Sequence, residues 1–199
     1  NASSSIQNGS AISPATVTLT PVLGSSTYSG TFADGATQPL NVTLTQTPGL
    51  WTFPMSALSP NWTGNFTNNG GAISCGTQNT VFGSQSVAGR SIVFNTGTLL
   101  TTLNNVFNGY NGNMVLNNST WTCNRYVAFA ANAGSLTLIN STMTGTDSTD
   151  GNYEMLQLPS TVMVRGTAPS YMLGSGSSPA YDVQSGGTTF DVADVTGNA

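Results

Sequence analysis

The sequence predicts an all-β fold, and three observations carry the prediction: short runs that alternate apolar with polar residues, turn-forming pairs between those runs, and few helix-forming residues. Val17 and Leu19 alternate with Thr16, Thr18 and Thr20. Val42 and Leu44 alternate with Asn41, Thr43 and Thr45 in a nearly identical Val-Thr-Leu-Thr run. Leu136 and Leu138 flank Thr137, and Val162 and Val164 flank Met163. Each run sends its apolar members to one face and its polar members to the other. The turn signals are Asn69-Gly70-Gly71, Asn108-Gly109, Asn111-Gly112, Asp150-Gly151 and Gly186-Gly187. One short helical candidate runs from Leu99 to Phe107, with Leu99, Leu103, Val106 and Phe107 on one face.

Two all-β architectures fit these strands. Ser91-Ile92-Val93-Phe94, Asn113-Met114-Val115-Leu116 and Ser135-Leu136-Thr137-Leu138 recur at a spacing of 22 residues. Each is followed by a threonine, at 98, 120 or 142, and then by an apolar residue, Leu99, Trp121 or Met143. A β-solenoid produces this pattern. Consecutive hairpin strands of a sandwich produce it too. The spacing is lost before Arg90 and after Thr144, where 147–152 interrupt it. A β-sandwich is therefore the expected architecture, and a right-handed β-solenoid the alternative.

The chain has 199 residues, enough to bury one good core, and no shift of composition divides it. It is expected to form one body, 24–199, preceded by an extension at 1–23. The extension is a Ser/Asn/Gly-rich leader into the alternating strand Ala15–Leu23, with Pro14 before it and Pro21 inside it. A proline within a strand confines it to an edge or an end. The extension reads either as an ordinary first strand behind a tail or as a donor strand that completes the sheet of a neighbouring subunit. In the second reading Ile12, Val17, Leu19 and Val22 are the apolar pegs, and repeating the contact head to tail gives an open filament of identical subunits.

Charge separates the chain from ordinary domains. Only 5% of its residues are charged, against roughly a quarter in typical proteins. Lysine and histidine are absent, and the three cations are Arg90, Arg125 and Arg165. So few cations cannot neutralise a run of phosphates, which argues against nucleic acid as a partner. An apolar fraction of 38% argues against disorder. Seven carboxylates and no histidine leave little to titrate in acid, so the fold is expected to be nearly indifferent to low pH. The chain opens on Asn1 without a basic and then apolar stretch, as expected once a targeting segment has been removed. Its longest apolar run, Tyr126 to Ala131, is far below the about 20 residues that span a bilayer, so no membrane span is expected.

Cys75 and Cys123 are an even count in an apparently exported chain, and a disulfide is the natural reading. It would close a loop of about 49 residues and stabilise the fold by roughly 4 kcal/mol in the chain-entropy model. Glycosylation sequons begin at Asn1, Asn8, Asn41, Asn61, Asn65, Asn117, Asn118 and Asn140. A chain this rich in Asn, Ser and Thr yields nearly that many by composition alone. An uncharged surface nevertheless needs another source of solubility, and covalent N-glycans supply one. Adjacent Asn117 and Asn118 are not expected to be modified together, and Asn118 is the one retained.

No enzyme is expected. Without histidine there is no Ser-His-Asp triad, no Cys-His pair and no histidine metal site; without lysine there is no Schiff base. The carboxylate pairs Asp147 with Asp150 and Asp191 with Asp194 could serve a glycosidase in principle, but they sit in loop-like sequence and read as solvated turns. The 146–152 segment also lacks the alternate oxygen ligands of a calcium loop. Neither a metal nor a cofactor is expected. Trp51, Trp62 and Trp121 could stack on sugars, yet each lies among alternating apolar residues and reads as core.

Taken together, the Ser/Asn-rich extension running into the Ala15–Leu23 strand, the almost uncharged body, the many sequons and the Cys75 and Cys123 pair resemble the pilin subunits of archaeal threads, the surface filaments of thermoacidophiles. The resemblance implies an immunoglobulin-like β-sandwich lacking one strand. A donor strand from the next subunit would supply it in a glycosylated, extracellular cell-surface filament for adhesion or biofilm formation. The alternative function is a β-solenoid glycan-binding adhesin or a phage-type receptor-binding protein.

Overall fold

A computed structural model describes residues 5–20, 26–45, 50–53, 61–75, 82–84, 86–101, 107, 109–123, 127–130, 133–145, 155–166, 171–173, 180–182 and 189–192. The strands come in repeating groups. The first circuit of the chain gives β1 (Ser5–Gln7), β2 (Ala15–Leu19) and β3 (Ser26–Thr27); the second gives β4 (Thr31–Ala33), β5 (Leu40–Leu44) and β6 (Leu50–Phe53). Two circuits of two strands follow, β7 (Phe66–Asn68) with β8 (Ala72–Cys75), and β9 (Ser91–Phe94) with β10 (Gly97–Thr101). Then come β11 (Asn113–Asn117), β12 (Ser119–Cys123) and β13 (Val127–Ala128), and after them β14 (Ser135–Ile139), β15 (Thr142–Gly145) and β16 (Met155–Gln157). The last are β17 (Thr161–Arg165), β18 (Tyr171–Leu173), β19 (Ala180–Asp182) and β20 (Thr189–Val192).

Each circuit adds one strand to each wall. One wall is an eight-stranded sheet in the order β2-β5-β7-β9-β11-β14-β17-β20; the facing wall has seven strands, β3-β6-β8-β10-β12-β15-β18. Two short sheets, β1-β4 and β13-β16-β19, lie beside them. Every strand pairing among the described residues is parallel, with partners one circuit apart. The fold is a β-solenoid.

This corrects the expected immunoglobulin-like β-sandwich. Sandwich strands pair antiparallel through hairpins, whereas here each strand waits a full circuit for its partner. The 22-residue spacing is the register itself: Asn113 lies opposite both Ser91 and Ser135. The twin Val-Thr-Leu-Thr runs are also neighbours, with Val17 opposite Val42 and Leu19 opposite Leu44. The expected helix is a second correction. Leu99 lies in strand β10, Leu103 and Val106 fall outside the described residues, and Phe107 is a buried bend residue.

Stacked circuits turn alternation into columns. On the eight-stranded sheet Val17, Val42, Phe66, Ile92, Met114, Leu136, Val162 and Phe190 form one column through successive pairings. The next runs Leu19, Leu44, Asn68, Phe94, Leu116, Leu138, Val164 and Val192. Their middle members are buried and meet Ile73, Trp121 and Met143 of the facing sheet in a single core. Aromatic rings link the circuits: Phe32 lies 4.9 Å from Trp62, Phe66 lies 5.0 Å from Phe82, and Phe82 stacks on Phe107 at 5.5 Å with 4° between the planes. Such ring pairs contribute about 0.5–1.5 kcal/mol each beyond the area they bury.

The corners are closed by asparagine. Buried Asn68 donates from Nδ2 to the Gly71 carbonyl at 3.3 Å and accepts from the Gly70 amide at 3.2 Å. Gly71 has a φ of 84°, which a side chain would resist. Asn118 and Asn140 take the left-handed conformation themselves, each with φ 48°, as asparagine tolerates best after glycine.

Candidate functional surface

Three features stand out as places where this solenoid could act: its polar outer columns, the one interior cation among the described residues, and its two ends. The outer columns follow from alternation. Asn41, Asn65, Ser91, Asn113, Ser135 and Thr161 form one column, and neighbouring members bond along it. The Asn41 side-chain Oδ1 accepts from the Asn65 backbone amide at 2.9 Å, the Asn65 Oδ1 in turn accepts from the Ser91 amide at 2.8 Å, and the Ser135 hydroxyl donates to the Asn113 Oδ1 at 2.9 Å. At the next corner Asn95 donates to Asn69 at 2.8 Å, and Asn140 to Asn118 at 3.4 Å. The sequon asparagines thus belong largely to structural ladders. On the facing wall the Thr142 and Thr120 hydroxyls lie 3.3 Å apart.

Sequon by sequon, Asn61, Asn65 and Asn118 are exposed, and Asn41, Asn117 and Asn140 are half-buried. Asn1 lies outside the described residues. Asn8 is a correction. It is only 4% exposed, and its Nδ2 donates to the carbonyls of Ser13, Gln38 and Pro39 at 3.2, 3.3 and 3.0 Å. A glycan on that nitrogen has no room in this fold.

The pairing expected of Cys75 and Cys123 does not fit the register either. Cys75 lies opposite Thr101, and one step beyond the Leu100–Thr122 pair Thr101 faces Cys123. The cysteines therefore flank β10 at two strand spacings, about 10 Å. A disulfide needs Cα atoms within about 7 Å.

Trp62 and Trp121 are buried in the core, away from any sugar, and the Trp51 side chain lies outside the described set. Asp147, Asp150 and Asp194 lie outside the described residues. Asp191 pairs with Arg165, whose Nη2 lies 2.6 Å from the carboxylate and whose Nη1 donates to the Asp191 carbonyl at 2.8 Å. Among the described residues no cluster of three or more His, Cys, Asp or Glu could hold a metal, and no helix is long and apolar enough to cross a membrane.

Sequence reasoning missed Arg90. It is 2% exposed, its guanidinium carbon lies 4.7 Å above the Trp62 ring, and Nε and Nη1 donate to the carbonyls of Gly64 and Ser84 at 2.7 and 3.0 Å. Nη2 is buried, with no hydrogen-bond partner among the described residues. Burial lowers its pKa to about 10, and burial raises that of Tyr110, whose hydroxyl donates to the Arg90 and Asn113 carbonyls, both at 3.2 Å. Asp34, also missed, ties two circuits together: it accepts from the Leu40 and Thr63 amides at 2.9 Å and from the Thr63 hydroxyl. No alternation rule announces either residue, because each sits just outside a strand.

At the N-terminal end, Val17 and Leu19 are half-buried in β2, which pairs with β5 of its own chain; Ile12 is 89% exposed in the bend before it. Val22 lies outside the described residues. The proposed donor strand is thus the terminal strand of its own sheet here. At the C-terminal end, Phe190 is 53% and Val192 47% exposed, although both stand in core columns. No protein-family model, no curated protein and no solved structure matches the chain.

Proposed function

We propose that the chain is a structural subunit of an extracellular cell-surface filament, with a role in adhesion or biofilm formation, in which solenoids stack end to end. The exposed Phe190 and Val192 carry this reading: among the described residues, the two core columns of the longest sheet end on apolar side chains that are about half exposed. Solenoids that remain single normally close such ends with a polar cap. The nearly uncharged composition supports the same reading, because stacked copies add little electrostatic repulsion. Glycans at the exposed sequons Asn61, Asn65 and Asn118 would decorate the outer walls and leave the ends clear. The role assigned is non-enzymatic. Sedimentation and negative-stain microscopy over a concentration series test it: fibres that lengthen with concentration are expected, and a monomer throughout would overturn the proposal.

A second reading has its own support. The laddered Asn, Ser and Thr columns present a flat, hydrogen-bonding wall of the kind a glycan-binding adhesin or phage-type receptor-binding protein offers. Glycan-array binding by unassembled protein would favour it over the filament.

A further inference from the structure

We infer that one copy's β20 pairs in parallel with β2 of a second copy, in one defined register: Thr189 opposite Thr16, Phe190 opposite Val17, Asp191 opposite Thr18, and Val192 opposite Leu19. This rests on the filament reading above and specifies the contact that such a filament uses.

The register follows from the columns. Phe190 and Val17 are the two ends of one core column, and Val192 and Leu19 are the two ends of the next. A second copy translated along the solenoid axis brings each column end onto its own opposite end. Apolar side chains then meet apolar ones across the joint, while Thr189 and Asp191 meet Thr16 and Thr18 on the outer face. A slip of one residue would set Phe190 and Val192 against the polar face of β2 and reverse every side chain.

The ends also match in hydrogen bonding and polarity. Among the described residues β2 and β20 are the outermost strands of the same all-parallel sheet, so each keeps one row of backbone groups that no described strand uses. The free rows lie on opposite edges, as head-to-tail parallel pairing requires. Two copies joined β20 to β20 would have to run antiparallel and would set identical Phe190 columns in opposition. The head-to-tail contact is heterologous and does not close, so it propagates. A second copy is the occupant that fits, because it carries the complementary edge with matched alternation.

The test is a double variant, Thr16→Cys with Thr189→Cys, oxidised under assembling conditions, with its disulfides mapped by peptide mass spectrometry. Directly opposed positions on adjacent strands are within disulfide reach, whereas positions offset by two residues are not. A covalent ladder of oligomers joined through 16 and 189, absent from a Thr18→Cys with Thr189→Cys control, is expected. Fibres without that ladder, or with an equal ladder in the control, overturn the register but leave the filament reading standing. Absence of fibres from the native chain overturns both. Phe190→Asp is expected to abolish fibres with the monomer's melting temperature unchanged; fibres that persist in it overturn the proposed contact.

Discussion

The middle of the long sheet and its end are built from the same pattern and have opposite fates. Met114 and Leu136 have strand neighbours on both sides and are fully buried, whereas Phe190, in their column, is more than half exposed. The difference teaches that in this fold burial comes from the adjacent circuit, and a strand's own alternation only offers a face to be covered. A substitution in the middle should therefore act on stability, and one at the end on assembly.

The largest expected effect lies in the middle. Trp121→Ala removes a fully buried ring from between the walls and should cost about 3–5 kcal/mol in chemical denaturation of the monomer. Phe190→Ala should cost under about 0.5 kcal/mol in the same measurement; equal losses would break the comparison. Arg90→Met keeps much of the bulk over Trp62 but leaves the Gly64 and Ser84 carbonyls without their donor, for an expected loss of about 2 kcal/mol. Asn8→Ala strips three carbonyls of one donor group near the first corner and should cost about 1–2 kcal/mol, whether or not the protein was made by a glycosylating host.

A further effect is on pH. Tyr110 has a folded pKa raised above its ordinary value of 10.0, so its contribution is fully present below pH 10 and is lost as pH rises beyond it, where the unfolded chain alone ionises. Arg90 works the other way. Its folded pKa of about 10 lies below the ordinary 12.5, so the native state gains relative to the unfolded one as pH climbs from 10 toward 12.5. Tyr110→Phe should lose about 1 kcal/mol at pH 7 and make the decline between pH 9 and pH 11 shallower. Denaturation midpoints at pH 7, 9 and 11 check this.

Much of the fold could be read from the chain. The 22-residue spacing from Ser91 to Leu138 proved to be the interstrand register, and the twin runs at Val17 and Val42 proved to be partners. Alternation alone does not decide the architecture, because it has the same period in hairpin and solenoid strands. Circuits of 26 residues between Ser135 and Thr161, and of 28 between Thr161 and Thr189, also hide the repeat. The extra residues fall between strands, where they cost little. The site was less legible. Sequons count asparagines without distinguishing exposed Asn61 from Asn8, which is buried by carbonyls up to 31 residues away. Two cysteines in a chain suggest a bond, but only register shows that β10 lies between them. Arg90 becomes an interior residue through Gly64 and Ser84, contacts that no local pattern encodes.

The axial repeat of the assembled fibre tests the account most directly. If β20 continues onto β2, each copy adds the eight strands of the long sheet, and electron microscopy should find a subunit repeat of about 38 Å along a continuous strand spacing of about 4.8 Å. A repeat that breaks the strand spacing between copies, or a chain that stays monomeric at every concentration, would contradict it.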